Sequence, residues 1–148
     1  MKSKKTISKI LVGAMVFMSV TSAGMASVNA QGNIKDRPYN FKFTIVNDER
    51  ALQSLAKDDY TSCYINNYGS QAGVNADVWA TDRVDEEHSN FRLSANCNAN
   101  GRQFVAKGQV KYLPNYVKEN GYNSCTLVLT PGGAIRTPVE GVWSPDSI

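Results

Sequence analysis

Histidine occurs once in this chain and cysteine three times, and after residue 30 no apolar run approaches the ~20 residues that a membrane-spanning helix needs. The part after residue 30 therefore carries no transmembrane segment. A lone histidine, His88, excludes multi-histidine metal sites, and Cys63, Cys97 and Cys125 lie too far apart for the paired spacing of a zinc site, so no metal and no cofactor is expected. No glycine-rich loop of the phosphate-cradling kind and no internal repeat occurs. Leucine is scarce, whereas Asn, Tyr, Gly, Thr and Val abound, the palette of short strands and tight turns rather than of helices.

The longest apolar run, Ile10 to Val20, stands at the front. It follows Lys2, Lys4, Lys5 and Lys9 and precedes small, weakly polar residues from Thr21 to Ala30, with Val28 and Ala30 where a signal peptidase reads. Residues 1–30 read as a secretory signal peptide cleaved after Ala30, and the protein as secreted. Removing those four lysines takes the formal charge from +3 to about −1. The remaining Lys and Arg are scattered from Lys35 to Arg136 among as many acids, so no basic stripe points to nucleic acid or to an anionic membrane.

Residues 31–148 suffice for one domain burying roughly 65% of the surface its unfolded chain exposes. Residues 31–38 are polar and predict a flexible leader to a single domain over 39–148. Tyr39, Phe41, Phe43 and Ile45 alternate with polar residues and predict a strand. Asp48 to Lys57 carries apolar residues at near-helical spacing but is short, so a turn of helix and a loop are both open. Thr61 to Tyr68 and Val74 to Thr81, joined through Gly69 to Gly73, predict a hairpin. Phe91 to Cys97 ends at a turn containing Asn100-Gly101, with Gln103 to Tyr112 returning as its partner. Pro114 to Asn120, closed by Gly121, predicts a short connecting helix. Ser124 to Thr130 and Ala134 to Trp143 complete the set, with Pro138 arguing for an edge position or a bulge. The expected fold is all-β: a small antiparallel two-sheet β-sandwich of about seven strands with one short connecting helix. A small open barrel is the alternative.

An exported chain permits disulfides, and three cysteines allow at most one internal bridge. In an antiparallel meander Cys63 and Cys125 fall at one end of the sheet and Cys97 at the other. The expectation is a Cys63–Cys125 disulfide with Cys97 left as a thiol. A Cys97 nucleophile with a His88 base lacks a nucleophile turn and an orienting third group, so no catalytic residue is assigned. The acidic stretch Asp82 to Asn90 lacks the spacing and central glycine of a calcium loop and reads as a solvated connection. Tyr60, Tyr64, Tyr68 and Trp79 share the phase opposite Cys63, Ile65, Val74 and Val78, which predicts an outward aromatic face. Rings flanked by amides suit a carbohydrate or protein partner, although aromatics also pack across strands for stability alone. Trp143, before Ser144-Pro145-Asp146, reads as a structural clasp.

The closing Gly141-Val142-Trp143-Ser144-Pro145-Asp146-Ser147, the internal Tyr116-Val117-Lys118-Glu119-Asn120-Gly121-Tyr122 and the opening Tyr39-Asn40-Phe41-Lys42-Phe43 resemble a group of small, uncharacterised secreted proteins of Gram-positive bacteria. The resemblance implies a signal peptide followed by one β-sandwich and, for its bacteriocin-like members, a role in competition or envelope stress. It brings no catalytic residues, and the three cysteines depart from its pattern. The expected function is a secreted, non-enzymatic binding protein at the bacterial cell envelope, with an envelope component or a protein as partner. A small secreted hydrolase and an envelope structural or accessory protein are the alternatives.

Overall fold

The computed structural model describes residues 32–87, 90–133 and 136–148. Residues 1–30, expected to be a signal peptide, and His88 lie outside the described residues. Two antiparallel sheets contain ten strands, and no helix occurs among the described residues. The four-stranded sheet runs in the order β1 (Arg37–Lys42), β10 (Pro138–Ser144), β4 (Cys63–Asn66) and β8 (Val110–Leu113). The other runs β2 (Arg50–Ala51), β9 (Ser124–Pro131), β5 (Val74–Thr81) and β6 (Leu93–Asn96). In it β3 (Leu55–Ala56) adds to β9, and β7 (Gln103–Val105) adds to β5.

Period-two alternation sends one set of side chains from each sheet inward. Tyr39, Cys63, Ile65, Leu113, Val139 and Trp143 from the first sheet join Val74, Val78, Cys125, Leu127 and Leu129 from the second in one buried cluster. Strand β9 is paired along both edges and is buried on its outer face as well, where the hydroxyls of Ser124 and Thr126 lie beside Val128. Thr126 Oγ1 donates to the Leu52 carbonyl at 2.9 Å, and Thr81 Oγ1 donates to Ser124 Oγ at 2.8 Å, so these buried groups are satisfied.

Several expectations are corrected, the first being the strand count, ten rather than about seven. The Asp48 to Lys57 stretch is neither helix nor plain loop: a helix this short pays nucleation without enough bonds, whereas β2 and β3 borrow theirs from β9. The Pro114 to Asn120 helix is absent for the same reason. A single turn closes with Asn120 N–H on the Tyr116 carbonyl at 2.9 Å, Gly121 at φ 82° ends it, and Val117 is fully buried beneath.

The predicted hairpin of residues 61–68 with 74–81 does not form, because β4 and β5 belong to different sheets. Residues 67–73 cross between the sheets around the buried side chain of Asn67. Its carbonyl oxygen accepts from Tyr39 Oη at 3.1 Å and from the Ser70 hydroxyl. Its amide donates to the Ala72, Ala106 and Val105 carbonyls at 3.2, 3.3 and 3.4 Å. That one amide fixes the crossing, while β4 takes its ladders from β10 and β8 and β5 from β9, β6 and β7.

The Asn100-Gly101 turn does not reverse the chain. Strands β6 and β7 follow one another along the same edge of β5, with residues 97–102 bulging out between them. Asn98 Oδ1 accepts from Val78 N–H at 2.7 Å in place of a backbone partner, and Asp77 holds the bulge through Asn98 Nδ2 at 2.5 Å and Arg102 Nε at 2.6 Å. A tight turn through Gly108 then carries the chain to β8 in the opposite sheet. Strand β10 begins at Pro138 and lies inside its sheet. The missing N–H costs nothing there, because β4 joins β10 only from Val142 onward.

Candidate functional site

With Cys63 and Ile65 turned inward, Tyr64 and Asn66 of β4 face out of the four-stranded sheet. On β8 the inward Leu113 leaves Tyr112 facing the same way. Tyr64 and Tyr112 are cross-strand partners, their ring centroids 5.7 Å apart and tilted by 55°. Tyr112 is exposed and Tyr64 half-buried. Beside the pair, Ile34, Asp36, Ser144, Asp146, Ser147 and Ile148 complete the walls of an open cleft of about 290 Å³. The site thus offers two phenol rings on paired strands, with Asp36 and Ser147 in its wall; the Ser144 hydroxyl is buried and donates to the Asp146 carbonyl.

The four aromatics singled out from the sequence do not share one face. Tyr60 is exposed in the loop before β4, Tyr64 is on the sheet, and Tyr68 is exposed just after β4. Trp79 is on β5 of the other sheet, half-buried between Thr126 and Asn96 in register. Tyr112 was missed. Its outward phase was readable once Leu113 was placed inward, but its pairing with Tyr64 depends on β4 meeting β8 rather than β5. Behind this face, Tyr39 lies in the core; burial, then its neighbour Tyr68, push its phenol far above the usual range, so it stays a donor to Asn67.

Cys63 and Cys125 are fully buried free thiols with their sulfurs 4.0 Å apart, one on each sheet. The hydrogen bond with Cys63, followed by burial, pushes the Cys125 thiol well above its ordinary range. The meander that suggested this pair does not exist; the sulfurs meet because β4 and β9 face each other across the core. Cys97 is buried apart from them, near Asn120 Nδ2 at 3.7 Å. In the acidic stretch the carboxylates serve the protein itself: Asp82 accepts from Arg92 N–H at 2.8 Å, Asp85 from Asn90 N–H at 3.0 Å, and Glu86 pairs with Arg37. No group of three or more His, Cys, Asp or Glu side chains among the described residues is arranged to hold a metal ion.

A family model described as "Protein of unknown function (DUF2712)" matches residues 26–147. The chain belongs to that family. No curated protein matches it, and no solved structure does. Membership covers the whole described domain, including both tyrosines and all three cysteines, and assigns no chemistry to any of them.

Proposed function

We propose that this is an exported, non-enzymatic binding protein of the bacterial cell envelope, which holds wall polysaccharide on the outer face of its four-stranded sheet. Residues 1–30 would direct export, with cleavage after Ala30, and a Cys63–Cys125 disulfide would form outside the cell and leave Cys97 as a thiol. The observation that carries this reading is the Tyr64–Tyr112 pair. Sugar rings stack on phenol faces through their C–H groups, the Ser147 hydroxyl and Asp36 carboxylate in the cleft wall supply directional hydrogen bonds, and the Asn66 amide follows Tyr64 on the same face of β4. Holding the rings on paired strands lowers the entropy cost of ordering them on binding. The bacteriocin-like resemblance fits the same reading, since a competitor acting on neighbouring cells must first engage their envelope.

Co-sedimentation with isolated cell walls tests it. The exported protein is expected to pellet with walls, and Tyr64→Ala with Tyr112→Ala to weaken binding by about thirtyfold, two lost stacking contacts at roughly 1 kcal/mol each. Unchanged sedimentation of a folded double variant would refute the assignment.

A further inference from the structure

Lys57 and Asp146 are both completely buried, and Lys57 Nζ lies 2.5 Å from Asp146 Oδ1. Lys57 follows β3 of one sheet and Asp146 follows β10 of the other, so the contact joins the two sheets near the C-terminal end of the described domain. A second carboxylate, Asp59, has its Oδ1 3.7 Å from the same nitrogen, and the Asp59 backbone N–H donates to Asp146 Oδ1 at 3.4 Å. Burial works to raise the Asp59 carboxyl, but the Thr61 hydroxyl and backbone N–H, Asp146 and the Lys57 ammonium together hold it below the usual carboxylate range. Around Asp146 the backbone converges: Asn33 N–H and Asp58 N–H donate to Oδ2 at 2.6 and 3.0 Å. Gly32 packs so closely on both aspartates that a Cβ there would collide with them.

A buried ion pair often contributes little net stability, since desolvation of both charges offsets their attraction. This pair also has the parts of an acyl-transfer site. It has a nucleophilic amine, a carboxyl carbon within reach, a carboxylate to move protons, and two N–H groups aimed at the oxygen on which charge would develop.

We infer that Lys57 and Asp146 condense after folding into an intramolecular amide that closes the chain across its two sheets, with Asp59 as the proton carrier. Lys57 passes one proton to Asp146 Oδ1, leaving a neutral amine and a carboxylic acid. Nζ then attacks Cγ, and the negative charge on Oδ2 is held by the Asn33 and Asp58 N–H groups. Asp59 accepts a second proton from Nζ and delivers it to Oδ1, which departs as water while the C=O re-forms on Oδ2. Asp59 ends as it began; one N–C bond is made, one C–O bond is broken and one water is released, with no change of oxidation state. The product keeps its buried place between the sheets and spares the fold two buried charges.

Peptide mapping of the folded, exported chain after unfolding in reducing denaturant tests this. The expected result is a branched peptide containing both Lys57 and Asp146, lighter by one water than its two parts, with no separate Lys57 peptide. Lys57→Arg keeps the charge and is expected to give two separate peptides. Asp59→Asn retains the Lys57–Asp146 contact and is expected to fold but to link about a hundredfold more slowly, the scale of general acid–base catalysis. Separate Lys57 and Asp146 peptides from folded wild-type protein would overturn the inference. Linkage of the Asp59→Asn variant at the wild-type rate would overturn the role given to Asp59.

Discussion

Replacing Trp143 with alanine is expected to remove about 3–5 kcal/mol of stability, a large share of what a domain of this size has. The indole is fully buried on the interior strand β10, with Arg37 of β1 on one side in register and Ile65 of β4 on the other. Its Nε1 makes no hydrogen bond within the described residues, so the loss is of packing and leaves no orphaned partner behind. Equilibrium unfolding in urea should show a lower midpoint with an unchanged slope, and Trp143→Phe should recover a substantial part of the difference. A loss below about 1 kcal/mol would mean that the two sheets do not depend on this side chain.

The second large effect concerns oxidation. Joining Cys63 to Cys125 closes a separation of 62 residues, for which chain-entropy reasoning gives roughly 4 kcal/mol of stabilisation, less any strain. The sulfurs need to approach by about 2 Å to reach bonding distance, a shift within the reach of side-chain rotation and small strand movement. Protein oxidised to form this bridge is therefore expected to melt well above the same protein treated with reductant, and above a Cys63→Ala, Cys125→Ala variant under either condition. The raised Cys125 thiol gives the reduced form its own pH signature. A thiol that resists ionisation only when folded contributes stability that is fully present below its unfolded pKa and is lost as pH rises towards the higher folded value. Reduced protein should weaken in mildly alkaline buffer, and oxidised protein should not show this contribution. Melting indifferent to reductant, or a bridge containing Cys97, would contradict the assignment.

The class of fold and the inward-facing residues were legible because period-two alternation survives in single strands: Cys63 and Ile65, Val74 and Val78, Leu127 and Leu129 all point into the core as their spacing predicts. Pairing between strands was not legible. Nothing in Gly69 to Gly73 announces that the chain changes sheets, because the deciding group is one buried amide, Asn67, whose partners lie as far away as Ala106. The Asn100-Gly101 pair carries the chemistry of a reversal, and Gly101 does adopt a positive φ, but Asp77 and Asn98 turn that chemistry into a bulge. The aromatic face inherited the same error. Tyr64 was placed on the correct side of its strand and given Trp79 as a companion, whereas the structure gives it Tyr112. The Lys57, Asp59 and Asp146 cluster left no trace in the sequence, since a lysine in a polar loop normally faces water.

Hydrogen exchange of residues 31–148, with and without soluble cell-wall fragments, tests most directly which surface does the work. Binding on the Tyr64–Tyr112 face predicts added protection at the amides of β4 and β8 and in the C-terminal segment after Ser144, with β5 and β6 unchanged. Protection centred on Trp79 and its neighbours in the six-stranded sheet, or none at any fragment concentration, would contradict it.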